Sequence, residues 1–257
     1  MRIGILGVGH LASYLVPGLL RAEGRPKPLL SPRGAATSAR LAAAFGLEIA
    51  ADNAALVADS DVVLLATNPS QAAEALAGLP WRPDHLVISV CAGVPLAELA
   101  PPSAPAAVAR AMPLTAASIG ESSLSIYPDL PGVREALASF GPIVALPDKA
   151  SFEAASVCGA LYGWVHALIG EMADWSRAAG LDERVARDLV AQTFRGAAAM
   201  VQAHPEKGFE AMIDELCTKG GITELGLGKL READAFADWR AACDAVLARL
   251  QTPAERP

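Results

Sequence analysis

Residues 2–6, RIGIL, form a continuous apolar run of the kind that is buried on both faces of a parallel sheet. The stretch GVGHLA then leads straight into ASYLVPGLLRAEG, where apolar positions return at helical spacing, so strand, turn and helix follow one another without a gap. Further apolar runs at PLLS, DVVLLAT and HLVISVCAG alternate with helical stretches at SARLAAAFG, DNAALVADS and SQAAEALAGL. Each helical stretch opens on a capping residue: Ser38, Asp52 and Ser70. Alternation of this type predicts βαβ crossovers and a doubly wound, Rossmann-type sheet. After VARAMP, the segments SSLSIYP, GVREALASFG and PIVALP are expected to complete that sheet.

From about Lys149 the strand signals stop. SFEAASVCGALYGWVHALIGEMADWSRAAG and DERVARDLVAQTFRGAAAMVQAH read as long helices, followed by shorter ones to Leu250. Gly180 suits the C-cap of the first, and Asp182 the N-cap of the second. The expected organisation is therefore α/β then all-α: a nucleotide-binding domain over 1–148 and a helical substrate and dimerisation domain over 149–257. The first long helix is apolar over much of its circumference, more than one small helical domain can cover. Burial against a second copy accounts for it, which predicts a homodimer through the helical domain.

Composition removes several alternatives. With 53% hydrophobic and 19% charged residues and no long low-complexity run, the chain is a folded one. A formal net charge of -7 without clustered Lys or Arg argues against nucleic acid as a partner. Cys91, Cys158, Cys217 and Cys243 are far apart and form no Cys-x-x-Cys, so neither a disulfide framework nor a zinc site is expected, and a reducing compartment fits. No pair among His10, His85, His166 and His204 has metal-ligand spacing, so no metal is expected. The apolar start is broken by Gly7 and Gly9 with no cleavage-type sequence after it, and no uncharged run reaches the roughly 20 residues that span a bilayer. No membrane association and a cytoplasmic location follow as expectations.

Gly7-x-Gly9-x-x-Ala12 supplies one glycine for a tight turn, a second for close backbone approach to a pyrophosphate, and a small residue for helix–strand packing. The phosphates would rest on free N–H groups at the helix N-terminus. An NAD site usually places an acid about 20 residues further on, to accept from the ribose 2′-OH. Here the second strand runs instead into Ser31-Pro32-Arg33. A hydroxyl and a guanidinium suit a 2′-phosphate, so NADPH is the expected cofactor.

With these residues in hand the chain resembles the pyrroline-5-carboxylate reductase family over nearly its full length. GVGHLA resembles the family's GxGxMA turn, SPR its NADP-reading loop, ATNPSQ its AVKPQ segment, VCAGV its AAG loop and RAMP its RxMPN. In the helical half, Ala173-Asp174 and Gly180-Leu181 followed by AQTFRGAAAM match the family spacing, and TKGGIT resembles its SPGGTT loop. The resemblance implies an NADPH-dependent imine reductase, a Rossmann domain followed by a helical domain that intertwines with its partner. Its implied cofactor contacts are Gly7, Gly9, His10, Leu11, Ser31, Arg33, Ala66, Asn68, Pro69, Cys91, Ala92 and Gly93.

The departures from the family pattern fall on the substrate side. Leu114 stands at the asparagine of MPN, Asn68 at the lysine of AVKP, and Ala155 at a threonine implicated in proton donation. The GSGPAY loop reads Gly159-Ala160-Leu161-Tyr162-Gly163-Trp164, and a Ser-Pro pair becomes Thr218-Lys219, while Gly220, Gly221 and Thr223 persist. Replacement concentrated at one pocket points to a changed ligand. The expected activity is NADPH-dependent reduction of a small C=N compound, a cyclic imine or imino acid other than pyrroline-5-carboxylate, or a related carbonyl. A non-catalytic dimeric NADP-binding protein and a true pyrroline-5-carboxylate reductase are the alternatives.

The nicotinamide is expected across Ala66, Asn68 and the Cys91-Ala92-Gly93 loop. An iminium already carries the charge that accepts hydride, whereas a ketone needs a donor to the developing alkoxide. Tyr162 and Lys219 are the new residues able to donate, with Thr223 four residues beyond Lys219, and these three are the candidate catalytic residues. Tyr162 can equally be a core residue, Lys219 an exposed one, and His166, four residues beyond Tyr162, a hydrogen-bonded structural histidine or a proton relay. His10 is expected to meet the cofactor through its backbone.

Overall fold

The structure, a computed structural model, describes residues 1–251. Its strands are Ile3–Leu6 (β1), Leu29–Leu30 (β2), Val62–Leu65 (β3), Leu86–Ser89 (β4), Ala107–Met112 (β5), Leu124–Tyr127 (β6) and Ile143–Ala145 (β7). They form a single sheet in the order β2-β1-β3-β4-β5-β6-β7, parallel throughout except that β6 runs antiparallel to β5. The helices on this half are Ala12–Leu20 (α1), Ala35–Phe45 (α2), Asn53–Ala58 (α3), Ala72–Leu76 (α4), Leu96–Ser103 (α5) and Val133–Leu137 (α6). Then come Lys149–Ala178 (α7), Glu183–Ala203 (α8), Phe209–Leu216 (α9), Ile222–Glu232 (α10) and Ala235–Gln251 (α11).

Strand alternation separates the apolar residues into a core on each face of the sheet. Ile3, Ile5, Val62 and Leu64 pack with Leu15, Val16 and Leu19 of α1 and with Phe140, whereas Leu6, Val63, Leu65 and Val87 pack with Leu56, Leu76 and Leu99. These residues are almost wholly buried, and each such Leu, Ile or Val contributes about 1.5–3 kcal/mol relative to exposure. Helix α1 lies close against the turn Thr115–Ile119, and a Cβ on Gly18 would stand 2.5 Å from the carbonyl oxygen of Ala117.

Asp52 and Asp182 cap as expected: Asp52 accepts from Ala55 N, and Asp182 from Arg184 N and Val185 N. Gly180 closes α7, its N–H reaching Arg177 O at 3.0 Å while Leu181 N reaches Ser176 O at 3.2 Å, the paired bonds of a Schellman end. Ser38 and Ser70 do not cap. Helix α2 begins three residues before Ser38, after Gly34 in the left-handed region, and Ser38 is buried with its hydroxyl donating to Ser31 O at 2.8 Å. Ser70 lies inside a short 3-10 turn started by Pro69, whose fixed φ suits a first turn and displaces the start of the helix. Helix α1 also stops at Leu20, short of the expected Gly24, as Arg21 N and Ala22 N bond back to Gly18 O and Leu19 O.

Two compact units result among the described residues: 1–159 with 247–251, and Ala160–Val246. The change from strands to helices falls at Lys149, but the first turns of α7 pack with the sheet, so the unit ends at Gly159. Phe152 and Val157 are buried there, and the guanidinium of buried Arg110 stands 4.5 Å from the Phe152 ring centroid. Burial lowers the Arg110 pKa, an effect opposed by nearby Glu153. In the second unit, Trp164 meets Trp239 edge-on with ring centroids 6.3 Å apart, and Ala186 is buried.

Asp182→Ala is expected to lower the unfolding free energy by about 1 kcal/mol, the usual loss for an N-cap. Denaturant unfolding checks it: the midpoint falls and the slope stays constant.

Candidate active site

At the carboxyl ends of β1 and β3 lies a cleft of about 220 Å³ lined by Leu6, Gly7, Val8, Gly9, Ser31, Arg33, Gly34, Asn53, Ala66, Thr67, Asn68, Gln71, Glu74 and Ala75. Ligands of open α/β sheets bind at this edge. Gly7 takes φ +92°, and a Cβ on it would come within 2.6–2.8 Å of Thr67, side chain and backbone alike. Gly9 is exposed, and a Cβ there would meet nothing within 4 Å, so the backbone faces open space. No side chain caps α1; Ser13 N and Tyr14 N bond back to His10 O and Leu11 O, which leaves the amides just before them, at the glycine turn, for an anion.

The loop after β2 is held from within. The Ser31 hydroxyl donates to Asn53 Oδ1 at 2.7 Å and accepts from Arg33 N at 3.1 Å, and the residue is fully buried. Ser31 therefore shapes the loop, and the exposed guanidinium of Arg33 is the group offered to a ligand. No acid stands in the Ser31-Pro32-Arg33 loop to accept from a ribose 2′-OH. An uncapped helix end, an open Gly9 and a presented guanidinium fit the diphosphate and 2′-phosphate of NADP.

Of the expected cofactor residues, Gly7, Gly9, Ser31, Arg33, Ala66 and Asn68 line this cleft, whereas His10, Leu11, Pro69, Cys91, Ala92 and Gly93 do not. His10 is exposed with its ring edge-on to Tyr14, centroids 5.3 Å apart, and Leu11 is the N-cap residue of α1. Pro69 opens the turn after Asn68. Cys91 lies directly behind Thr67: its thiol meets Thr67 O at 3.3 Å and Leu65 O at 3.5 Å, and burial pushes its pKa up. Ala92 and Gly93 follow on the exposed loop. The reading from sequence missed Asn53, Thr67, Gln71 and Glu74. Their positions after strands and in first helical turns were the available signal.

A second cavity of about 220 Å³ lies beyond β5, lined by Met112, Leu114, Ser123, Leu124, Ser125, Val144, Leu146, Ala155, Cys158 and Gly159. Leu114 joins Ala155 and Gly159, about 40 residues further along the chain and one turn apart on α7, on its wall.

The candidate catalytic residues lie in the helical unit. Tyr162 and His166 face each other on α7, with rings 4.4 Å apart and His166 Nδ1 2.7 Å from the Tyr162 carbonyl oxygen. Lys219 and Thr223 are exposed on either side of the start of α10. That loop is closed by Gly221 N donating to Thr218 O at 2.8 Å and by Gly220 N donating to the Glu224 carboxylate at 2.6 Å. Among the described residues no group of three or more His, Cys, Asp or Glu is placed to hold a metal.

Residues 151–252 match the family described as pyrroline-5-carboxylate reductase dimerisation, and residues 2–93 the family described as NADP oxidoreductase coenzyme F420-dependent. A pyrroline-5-carboxylate reductase from Pseudomonas aeruginosa is 32% identical over 249 residues, covering 91% of this chain and 90% of that one. The chain belongs to the pyrroline-5-carboxylate reductase family. The solved 1-pyrroline-5-carboxylate reductase of Streptococcus pyogenes superposes with a TM-score of 0.85 at 25% identity, covering 98% of each chain. The Plasmodium falciparum pyrroline carboxylate reductase, solved with NADP bound, shares the fold with a TM-score of 0.84 at 21% identity, over 98% of this chain and 97% of that one. As a pyrroline-5-carboxylate reductase relative the chain is an NADP-linked oxidoreductase acting on C=N bonds, with a Rossmann-type domain followed by a helical one.

Proposed function

We propose that the protein reduces the C=N bond of a small cyclic imino acid or imine with NADPH, working as a cytoplasmic homodimer. The observation that carries this reading is the cleft at β1 and β3. It joins an open glycine turn to a presented Arg33 in a chain whose likeness to pyrroline-5-carboxylate reductases runs through both halves. Bound NADPH supplies a hydride to the imine carbon, and the substrate nitrogen keeps the C=N electron pair and ends as an amine.

The chain's own residues bind and orient. The amides of the glycine turn hold the diphosphate, Arg33 the 2′-phosphate, and Asn68 with the Cys91-Ala92-Gly93 loop the nicotinamide side. Lys219 provides a cation for a substrate carboxylate, while Tyr162 and Thr223 offer hydroxyls. A protonated imine needs no further acid at the hydride step, in keeping with Ala155 at the family's threonine position. The convergence of Leu114, Ala155 and Gly159 on one cavity supports a pocket altered from that of the named relatives.

Dimerisation is supported by apolar surface in the helical half. Trp175, Leu189, Met200, Phe209, Leu216 and Ile222 are exposed. By length and composition α7 also passes as a membrane-crossing helix; 17% of its apolar window is buried in the single chain, so the dimer reading rests on the exposed residues named above and on covering this helix with a second copy. The cysteines are free, which suits a reducing compartment.

Mixing the protein with NADPH and a panel of cyclic imines, pyrroline-5-carboxylate included, tests the reading. Loss of nicotinamide absorbance is expected with imino acids and none with ketones. Oxidation with a ketone and with no imine overturns it, and tight NADPH binding without any turnover leaves a non-catalytic binding protein instead.

A further inference from the structure

The cavity beyond β5 has a chemistry of its own. Met112, Leu114 and Gly159 are on its wall, Ser123, Ser125 and the Cys158 thiol are its polar members, and no charged side chain lines it among the described residues. A carboxylate placed there would lose its hydration with no cation to replace it, whereas hydrocarbon would be favoured.

Its position ties it to the cofactor cleft. Ser89 pairs with Arg110 in the β4–β5 register; two residues on from each stand Cys91, past the end of β4, and Met112, the last residue of β5. Cys91 touches Thr67, which lines the cleft, and Met112 lines the cavity. Strands β4 and β5 are neighbours in the sheet, one strand spacing of about 4.8 Å apart. All of these residues belong to the same compact unit.

We propose that this cavity receives an alkyl group of the substrate, so that the enzyme prefers alkyl-bearing cyclic imines to unsubstituted ones. This rests on the reading of the protein as an NADPH-dependent imine reductase and names the substrate class within it. Gly159 sets the depth. A Cβ there would stand 3.7 Å from Met112 Cγ and Sδ and 4.0 Å from Leu114 Cδ2, ordinary contacts, so Gly159→Ala narrows the space without a clash. The same change raises helix propensity in α7, and the variant is expected to fold at least as well as the parent.

The test uses the full chain, NADPH and two sets of 1-pyrrolines bearing hydrogen, methyl, ethyl or propyl, one set substituted on the imine carbon and one on the adjacent ring carbon. In one of the sets kcat/KM is expected to climb about fourfold per added carbon, the worth of one buried methylene. Gly159→Ala should cut the propyl-to-hydrogen ratio about tenfold or more, and Leu114→Asn, which puts an amide on the wall, should do the same. Thermal melting confirms that both variants are folded. Turnover with flat or falling series in the parent overturns the proposal and leaves the imine reading intact. A climb that neither variant changes places the alkyl group elsewhere and overturns it too. Flat series together with a weaker dimer in Gly159→Ala identify a partner side chain as the occupant, against the proposal. If no imine oxidises NADPH, the parent reading fails and this inference fails with it.

Discussion

Gly7→Ala is expected to weaken NADPH binding by at least about 100-fold and to destabilise the fold by about 2–5 kcal/mol. Gly7 sits at φ +92°, where an L side chain is strained, and its new Cβ would press on the backbone nitrogen and Cα of Thr67 at 2.7 and 2.8 Å. Thr67 Cγ2 can rotate aside but the Thr67 backbone cannot, so the turn must shift. The amides of the turn then lose their aim at the diphosphate. Gly9→Ala is the discriminating control, since its Cβ meets no protein atom within 4 Å. It should leave the melting temperature unchanged yet still reduce nucleotide affinity, because the space it enters is the ligand's. Calorimetric titration and thermal melting of both variants check the pair. Equal melting temperatures would overturn the clash argument at Gly7, and undiminished binding in Gly9→Ala would remove the glycine turn from the cofactor site.

Arg33→Ala is expected to raise the NADPH dissociation constant about 10- to 100-fold while changing that of NADH by no more than about threefold. A hydrogen bond to a charged group contributes about 1.5–3 kcal/mol, and the exposure of Arg33 places the effect toward the lower part of that range. Ser31→Ala should act differently. Its hydroxyl is already engaged with Asn53 and the Arg33 amide, so its loss loosens the loop and weakens both nucleotides together. Parallel titrations with the two nucleotides separate these cases. Equal weakening of NADH and NADPH by Arg33→Ala would make this residue a solvated loop charge.

Much of the nucleotide-binding half is legible because its signals are local. RIGIL followed by GVGHLA names a strand and a turn, and Asp52 caps α3 through a bond that needs only three residues of chain. The reversal of β6 against β5 is set by tertiary packing and leaves no local trace. Ser38 was misread for a related reason: a serine ahead of an apolar run looks like a cap, but its hydroxyl reaches back to the β2 loop across a fold not visible in the string. Asn53 escaped notice because a helix-start asparagine has no special spacing, and its value comes from the distant Ser31 that it meets. The meeting of Leu114, Ala155 and Gly159 on one wall was reached only through the family resemblance and has no local signal, since β5 and α7 are brought together by the sheet and by Arg110 over Phe152.

The close seat of α1 on the 115–119 turn has an effect on recognition as a whole. One end of this helix presents the amides of the glycine turn, while its flank, at Gly18, grips the segment that follows Leu114. The interval between the anion-holding amides and the rim of the apolar cavity is thus fixed when the chain folds. On the proposed reading, neither ligand would have to organise the other's seat on arrival, and the entropy of lining up donor and acceptor would largely be removed from the encounter.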